Sequence, residues 1–183
     1  MKSYVRASMA IRMACMVYET LMAAGVGVAA LIVASPLVLA AKSFPVASSA
    51  LAGSAMILSW WLYFSKSWLK KSQTVPMKAW GLELRRSDGG RIGKAHALRR
   101  FMWATILIAL APMAEYAVLR QLGAPPFASF LLSLVWLAVP WAGALAFDDR
   151  QFLYDQIAGT AIFRAIERDE GKGEERNDQT GRR

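Results

Sequence analysis

Long apolar runs alternate with short charge-rich segments along this chain. Residues 46–64 and 127–147 carry no charged side chain, and residues 13–41 and 101–119 carry one each, Glu19 and Glu115. Each run approaches or exceeds the ~20 residues that an α-helix needs to cross ~30 Å of hydrocarbon. The pattern predicts an all-α membrane protein, a four-transmembrane-helix bundle with spans at about residues 13–41, 46–65, 101–120 and 127–147.

The segment between the second and third runs, residues 66–100, has a different period. Apolar and polar side chains alternate from Trp80 to Arg85, and turn residues follow at Asp88-Gly89-Gly90. A period of two predicts a half-buried strand. A lone strand is not stable, so it needs a partner, and residues 159–163 are the other short segment that favours a strand. We therefore expect a small β element made of these two segments.

The distribution of positive charge predicts the orientation in the membrane. The formal net charge is +9; ten basic residues lie in residues 66–100 and seven more follow residue 147. The two other connections hold one basic residue each, Lys42 and Arg120. Loops rich in Lys and Arg stay in the cytoplasm. We therefore expect both termini and the β element on the cytoplasmic side of a bacterial inner membrane, near anionic headgroups and not nucleic acid.

The composition, 56% hydrophobic with a mean hydropathy of +0.31, fits one membrane domain over residues 1–166. Residues 1–11 are basic and are expected at the membrane surface, and residues 167–183 are expected to be a disordered charged tail. Cys15 and His96 are the only residues of their types. With no Cys/His pair, metal set or phosphate-loop motif, we expect no enzyme activity, no cofactor and no metal.

Charged residues near the apolar runs are the candidate functional residues, because charge in a membrane is costly. Arg12 and Glu19 are seven residues apart, which puts them on one helix face with a rise of about 10 Å. Asp148 and Asp155 have the same spacing, with Arg150 between them. Glu115 lies one turn past Pro112, where it either reaches outer water or pairs with Arg120.

Three groups of residues resemble the RDD family of small bacterial membrane proteins. They are Arg12 with Glu19, then Gln73-Thr74 with the strand and Asp-Gly turn, and lastly residues 148–151 and 154–160. The resemblance implies that Asp155 is the second acid of the family's C-terminal motif. Two positions depart from the family: Glu19 stands where an aspartate is usual, and Pro76 where a glycine is common.

Two functions remain open. In the first, which we favour, the protein has a structural or interaction role, and an Arg/acid cluster joins the first helix to the C-terminal motif. In the second, the resemblance implies a small ion- or proton-coupled transporter or exchanger. Four spans make a narrow bundle, so that function would require an oligomer; a homo-oligomer or a membrane-protein partner stays open. Both hypotheses predict that Arg12, Glu19 and Asp155 converge at the cytoplasmic end of the bundle.

Overall fold

The computed structural model describes residues 2–140, 142 and 151–167. In these residues the helices are α1 (Met9–Ala40), α2 (Pro45–Lys71), α3 (Val75–Ala79), α4 (Lys94–Gln121), α5 (Pro126–Ser133) and α6 (Leu153–Ala158). The strands are β1 (Lys2–Arg6), β2 (Leu82–Arg86) and β3 (Thr160–Glu167). Helices α1, α2 and α4 are each 27 to 32 residues long and apolar enough to cross a membrane.

The fourth apolar run begins as a shorter helix. After α5 the chain tightens into a 3₁₀ turn over Leu134–Ala138, and the apolar helical stretch is Pro126–Trp136. Much of the end of the predicted span, and the charged segment after it, lies outside the described residues. The fourth crossing of the membrane therefore stays a prediction. Residues 168–183 of the predicted disordered tail also lie outside the described residues, so the tail stays a prediction too.

Helices α1 and α2 form a hairpin that packs through small residues. Gly27 is buried, and a β-carbon added there would lie 3.3 Å from the indole nitrogen of Trp60 and 3.5 Å from Met56. The same indole N–H donates a 2.7 Å hydrogen bond to the carbonyl of Ala23. Small side chains thus let the two backbones approach, as they do in other membrane helix pairs. Pro36 lies inside α1 and does not end it.

Helix α4 contains one wide turn. Over Ile106–Leu110 the helix is of the π type, and the N–H of Ala111 bonds to the carbonyl of Ile106, five residues earlier. The wide turn lies directly before Pro112. A proline ring clashes with the carbonyl four residues before it in a regular helix, and the π turn changes the local spacing at this point.

A three-stranded antiparallel sheet completes the fold, in the order β1-β3-β2. The predicted ladder is present: Leu84 is opposite Ile162 and Glu83 is opposite Phe163. The strand begins at Leu82 and not at Trp80, because Gly81 turns the chain with a φ of 64°. The cytoplasmic location of the sheet stays a prediction.

Strand β1 is an element that the sequence did not predict, and the place of the N-terminus relative to the membrane surface stays a prediction. Lys2–Arg6 pairs with β3, with Tyr4 opposite Ala165. The Tyr4 ring also lies 3.6 Å from the Arg85 guanidinium carbon. The basic composition of the segment gave no sign of this pairing. Its backbone pairs with the edge of β3 that β2 does not occupy.

The sheet covers the end of the bundle at which α1 and α4 begin and α2 ends. Its inner face presents Leu82, Leu84 and Ile162, which are at most 4% exposed. They belong to the same buried cluster as Trp68 of α2 and Phe101 of α4. The sheet is therefore attached to the ends of the long helices through a small hydrophobic core.

Substituting Gly27 should test the packing of α1 against α2. Gly27→Leu puts a side chain into the space of Trp60 and Met56, and overpacking of this kind costs about 1–3 kcal/mol. We expect a lower apparent melting temperature for the purified protein in detergent. Gly25→Leu is the matched control, because a β-carbon there meets nothing within 4 Å. Equal melting temperatures for the two variants would contradict this packing.

Candidate functional site

The polar face of α1 begins the candidate site. Arg12, Cys15 and Glu19 follow one another at helical spacing, and Arg12 and Cys15 are 4% and 2% exposed. Residues three and four apart share a face of a helix. The face therefore carries one positive and one negative group toward the rest of the protein rather than toward lipid.

Asp155 is the most deeply buried acid of the site. It lies in the first turn of α6, its side chain is fully buried, and it forms an ion pair with Arg100 of α4. The Thr160 hydroxyl donates a 3.0 Å hydrogen bond to the same carboxylate oxygen. A buried carboxylate with a charged partner and a hydroxyl donor has its charge compensated locally.

Aromatic rings surround the arginine of this pair. Arg100 is 2% exposed, and its guanidinium carbon lies 5.0 Å from the Trp68 ring centre and 5.1 Å from that of Tyr154. Guanidinium groups are attracted to aromatic faces at such distances. Burial raises the pKa of Tyr154 to about 12, so its hydroxyl stays neutral at physiological pH.

Glu19 has a separate hydrogen-bond partner. The Thr74 hydroxyl donates a 2.5 Å hydrogen bond to one Glu19 oxygen, across 55 positions of sequence. The same hydroxyl accepts from the N–H of Met77 at 3.3 Å, which makes Thr74 the N-cap of α3. Thr74 thus joins the start of a short helix to the interior of α1.

Arg12 lies beside the start of α6. Its guanidinium carbon lies 5.6 Å from the centre of the Phe152 ring. Among the described residues the ion pair of Asp155 is with Arg100. The convergence of Arg12 with Glu19 and Asp155 stays a prediction. Phe152 is the N-cap residue of α6, so Arg12 lies against the start of that helix.

A cavity of about 270 Å³ opens between α1, α2 and α4 beside these groups. Glu19, Arg100 and Tyr154 contribute polar atoms to its wall, and most of the remaining wall is apolar or aromatic. Within the described residues, no three His, Cys, Asp or Glu side chains are grouped as metal ligands. The site therefore combines a fixed ion pair with an accessible carboxylate.

The remaining predicted residues are not part of this cluster as described. Asp148 and Arg150 lie outside the described residues. Glu115 is half-buried and 15 positions beyond Arg100 in α4, roughly 22 Å along the axis. Arg120 donates a 2.6 Å hydrogen bond to the carbonyl of Ala124, and among the described residues it forms no ion pair with Glu115.

The comparison with protein families identifies the chain. The sequence model of the RDD family matches residues 6–159, which is most of its length. The chain belongs to the RDD family. No curated protein and no solved structure matches it. Together with its apolar helices, RDD membership makes it a membrane protein.

The two departures from the RDD pattern both have a place in this structure. Pro76 falls in the first turn of α3. At that position the backbone N–H that proline lacks would have no partner within the helix, and the fixed φ of proline suits a helix. Glu19 reaches Thr74, and the extra methylene of glutamate over aspartate lengthens that reach. Each departure is thus compatible with its local structure.

Arg100 and Thr74 are the functional residues that sequence reasoning missed. Arg100 was counted with the basic residues of the loop, although it is spaced with Ala97, Phe101 and Ala104 as one helical face. A basic residue inside an apolar face signals a buried counter-ion. Thr74 belongs to the Gln-Thr pair of the RDD resemblance, but its partner is 55 residues away.

Removing the charge of Asp155 should destabilise the protein strongly. Asp155→Asn leaves Arg100 buried without its counter-ion, and breaking such a pair costs about 3–5 kcal/mol. We expect a large drop in apparent melting temperature, and partial recovery in the double variant Arg100→Met/Asp155→Leu. The control is Asp88→Asn, because Asp88 pairs with Arg86 in solvent, where the two side chains are 58% and 44% exposed. A similar loss in both single variants would be inconsistent with a buried structural pair.

Proposed function

We propose that this RDD protein is a structural or interaction protein of the bacterial inner membrane, without enzyme activity. The observation that supports this best is the burial of Asp155. A carboxylate that is fully buried and held by Arg100 and Thr160 is suited to joining helices. It is poorly suited to exchanging an ion with water at each cycle, since every exchange would expose an uncompensated charge.

Three contacts would carry this structural role. Arg100–Asp155 joins α4 to α6, Thr74–Glu19 joins α3 to α1, and Arg12 lies against Phe152, the N-cap residue of α6. Each contact links an element of the bundle to a segment beside the sheet. Together they fix the sheet against the helix ends, which gives a partner or the membrane surface a rigid face.

Anionic headgroups are the partner that we propose for this end of the molecule. Its exposed basic side chains include Lys66, Lys70 and Lys71 at the end of α2 and Lys94 at the start of α4. Lysines next to a membrane helix are attracted to anionic lipid by about 1 kcal/mol each. A homo-oligomer or a second membrane protein would bind the lipid-facing helices.

A small ion- or proton-coupled transporter is the second candidate. The cavity favours it, because Glu19 and Arg100 lie on the wall of a space between membrane helices. Acidic groups in such positions occur in ion and proton pathways. The bundle is narrow, so this function would need an oligomer.

The orientation can be tested by cysteine labelling in a Cys15→Ser background. Single cysteines at Lys42 and Gly123 should react with an impermeant maleimide added outside intact cells. A cysteine at Asp88 should react only after the cells are opened, because the basic sheet end stays in the cytoplasm. Labelling of Asp88 from outside would reverse the proposed topology.

Ion flux separates the two candidate functions. Proteoliposomes with a pH- or Na⁺-sensitive dye should show no flux beyond that of empty liposomes, for the wild type and for Glu19→Gln alike. Asp155→Asn should still lower the melting temperature of the same preparation. Wild-type flux that is abolished in a stable Glu19→Gln variant would instead establish the transporter.

A further inference from the structure

The cavity between α1, α2 and α4 has an aromatic wall and a carboxylate at one end. Four of its lining side chains are Trp60, Phe64, Trp68 and Phe101. Glu19 lies at the end that borders the Arg100–Asp155 pair. With about 270 Å³ it is close to the lower end of ligand pockets, ~300 Å³. Its ligand would therefore be small.

Two charged residues line the cavity, Glu19 and Arg100. Arg100 stands between two acids, because it pairs with Asp155 and also interacts electrostatically with Glu19. Counted at their formal charges, the two acids and the one arginine sum to −1, which one bound cation would neutralise. Among the described residues the hydrogen-bond donor to Glu19 is the neutral Thr74, so Glu19 shares the positive charge of Arg100 with Asp155.

The aromatic wall is held in place before any ligand arrives. The Trp60 indole is fixed by its 2.7 Å hydrogen bond to the carbonyl of Ala23. Phe64 stacks on Trp68 with ring centres 5.0 Å apart, and its ring centre is 6.5 Å from that of Phe101. Aromatic faces attract ammonium groups, most of all when water is excluded. Pre-arranged rings lower the entropic cost of binding.

The wide turn of α4 contributes independently to the same place. Ile108 and Ala109, both within the π segment, line the cavity. Single π turns inside α-helices occur frequently at functional sites. The backbone of α4 is therefore irregular where it faces the carboxylate-bearing side of α1.

We propose that this cavity binds a small organic cation, an ammonium group with apolar substituents, with Glu19 as its counter-ion and the aromatic rings around its apolar part. The same chemistry is offered by a free alkylammonium and by the headgroup of a zwitterionic lipid. The inference does not rest on the structural function proposed above, since binding requires neither flux nor a partner protein.

Calorimetric titration of the protein in phosphatidylglycerol nanodiscs tests this site. Benzyltrimethylammonium should bind saturably at one site per chain, whereas phenylacetate and benzyl alcohol, which share the ring but not the positive charge, should not. Glu19→Gln should weaken cation binding at least tenfold. Glu115→Gln, which removes a carboxylate outside the cavity, should leave it unchanged.

Phe64→Leu keeps the test decisive if Glu19→Gln does not fold. Loss of one aromatic face should weaken cation binding by about threefold, with the melting temperature used to verify folding. Adding phosphatidylethanolamine to the nanodiscs separates the two sources: weaker binding identifies a lipid ammonium as a competing ligand, and unchanged binding identifies a free cation. Equal binding of phenylacetate, or affinity unchanged in both variants, would overturn the proposal.

Discussion

A carboxylate that is removed from water needs a counter-ion. The described fold depends on the ion pair between Asp155 and Arg100. Because of desolvation, an unpaired buried charge lowers the free energy of unfolding by roughly several kcal/mol. Arg100 is fixed in α4, so the pair fixes α6. Helix α6 leads through Gly159 directly into β3, the central strand to which β1 and β2 both bind. The ion pair therefore helps to position the sheet on the bundle, together with the hydrophobic core between them.

The second acid of the cluster follows a different rule. Glu19 receives a hydrogen bond from a hydroxyl rather than a charged donor, and Thr74 divides its hydrogen bonding between Glu19 and the start of α3. A hydroxyl stabilises a carboxylate without cancelling its charge. The contact is consequently a weaker tie than the ion pair, and it leaves an electrostatic field in the neighbouring cavity. Asp155 thus stabilises the fold through its ion pair, whereas Glu19 lines the cavity.

The sequence predicts the parts of this fold that depend on local patterns. The three long helices follow from uncharged runs, and the β2–β3 ladder follows from the alternation between Leu82 and Arg85. The pairing of Asp155 with Arg100 instead brings together residues 55 positions apart, and spacing along one helix gives no information about it. Strand β1 was missed for a similar reason, because its partner lies at the other end of the chain. The π turn depends on the local response of α4 to Pro112, which hydrophobic periodicity does not report.

The difference between the two acids also bears on function. A charge that is fully compensated in the folded state has little to gain from a ligand, since any new contact must replace one that already exists. Asp155 is close to that condition, because Arg100 pairs with one of its oxygens and the Thr160 hydroxyl donates a hydrogen bond to the same oxygen. Glu19 is further from it, because its hydrogen-bond donor is neutral, it forms no ion pair among the described residues, and its side chain lines a cavity with aromatic walls. A positively charged ligand would lower the electrostatic free energy at Glu19 while leaving the ion pair intact. Stability and binding can therefore reside in neighbouring residues of one cluster without competing for the same charge.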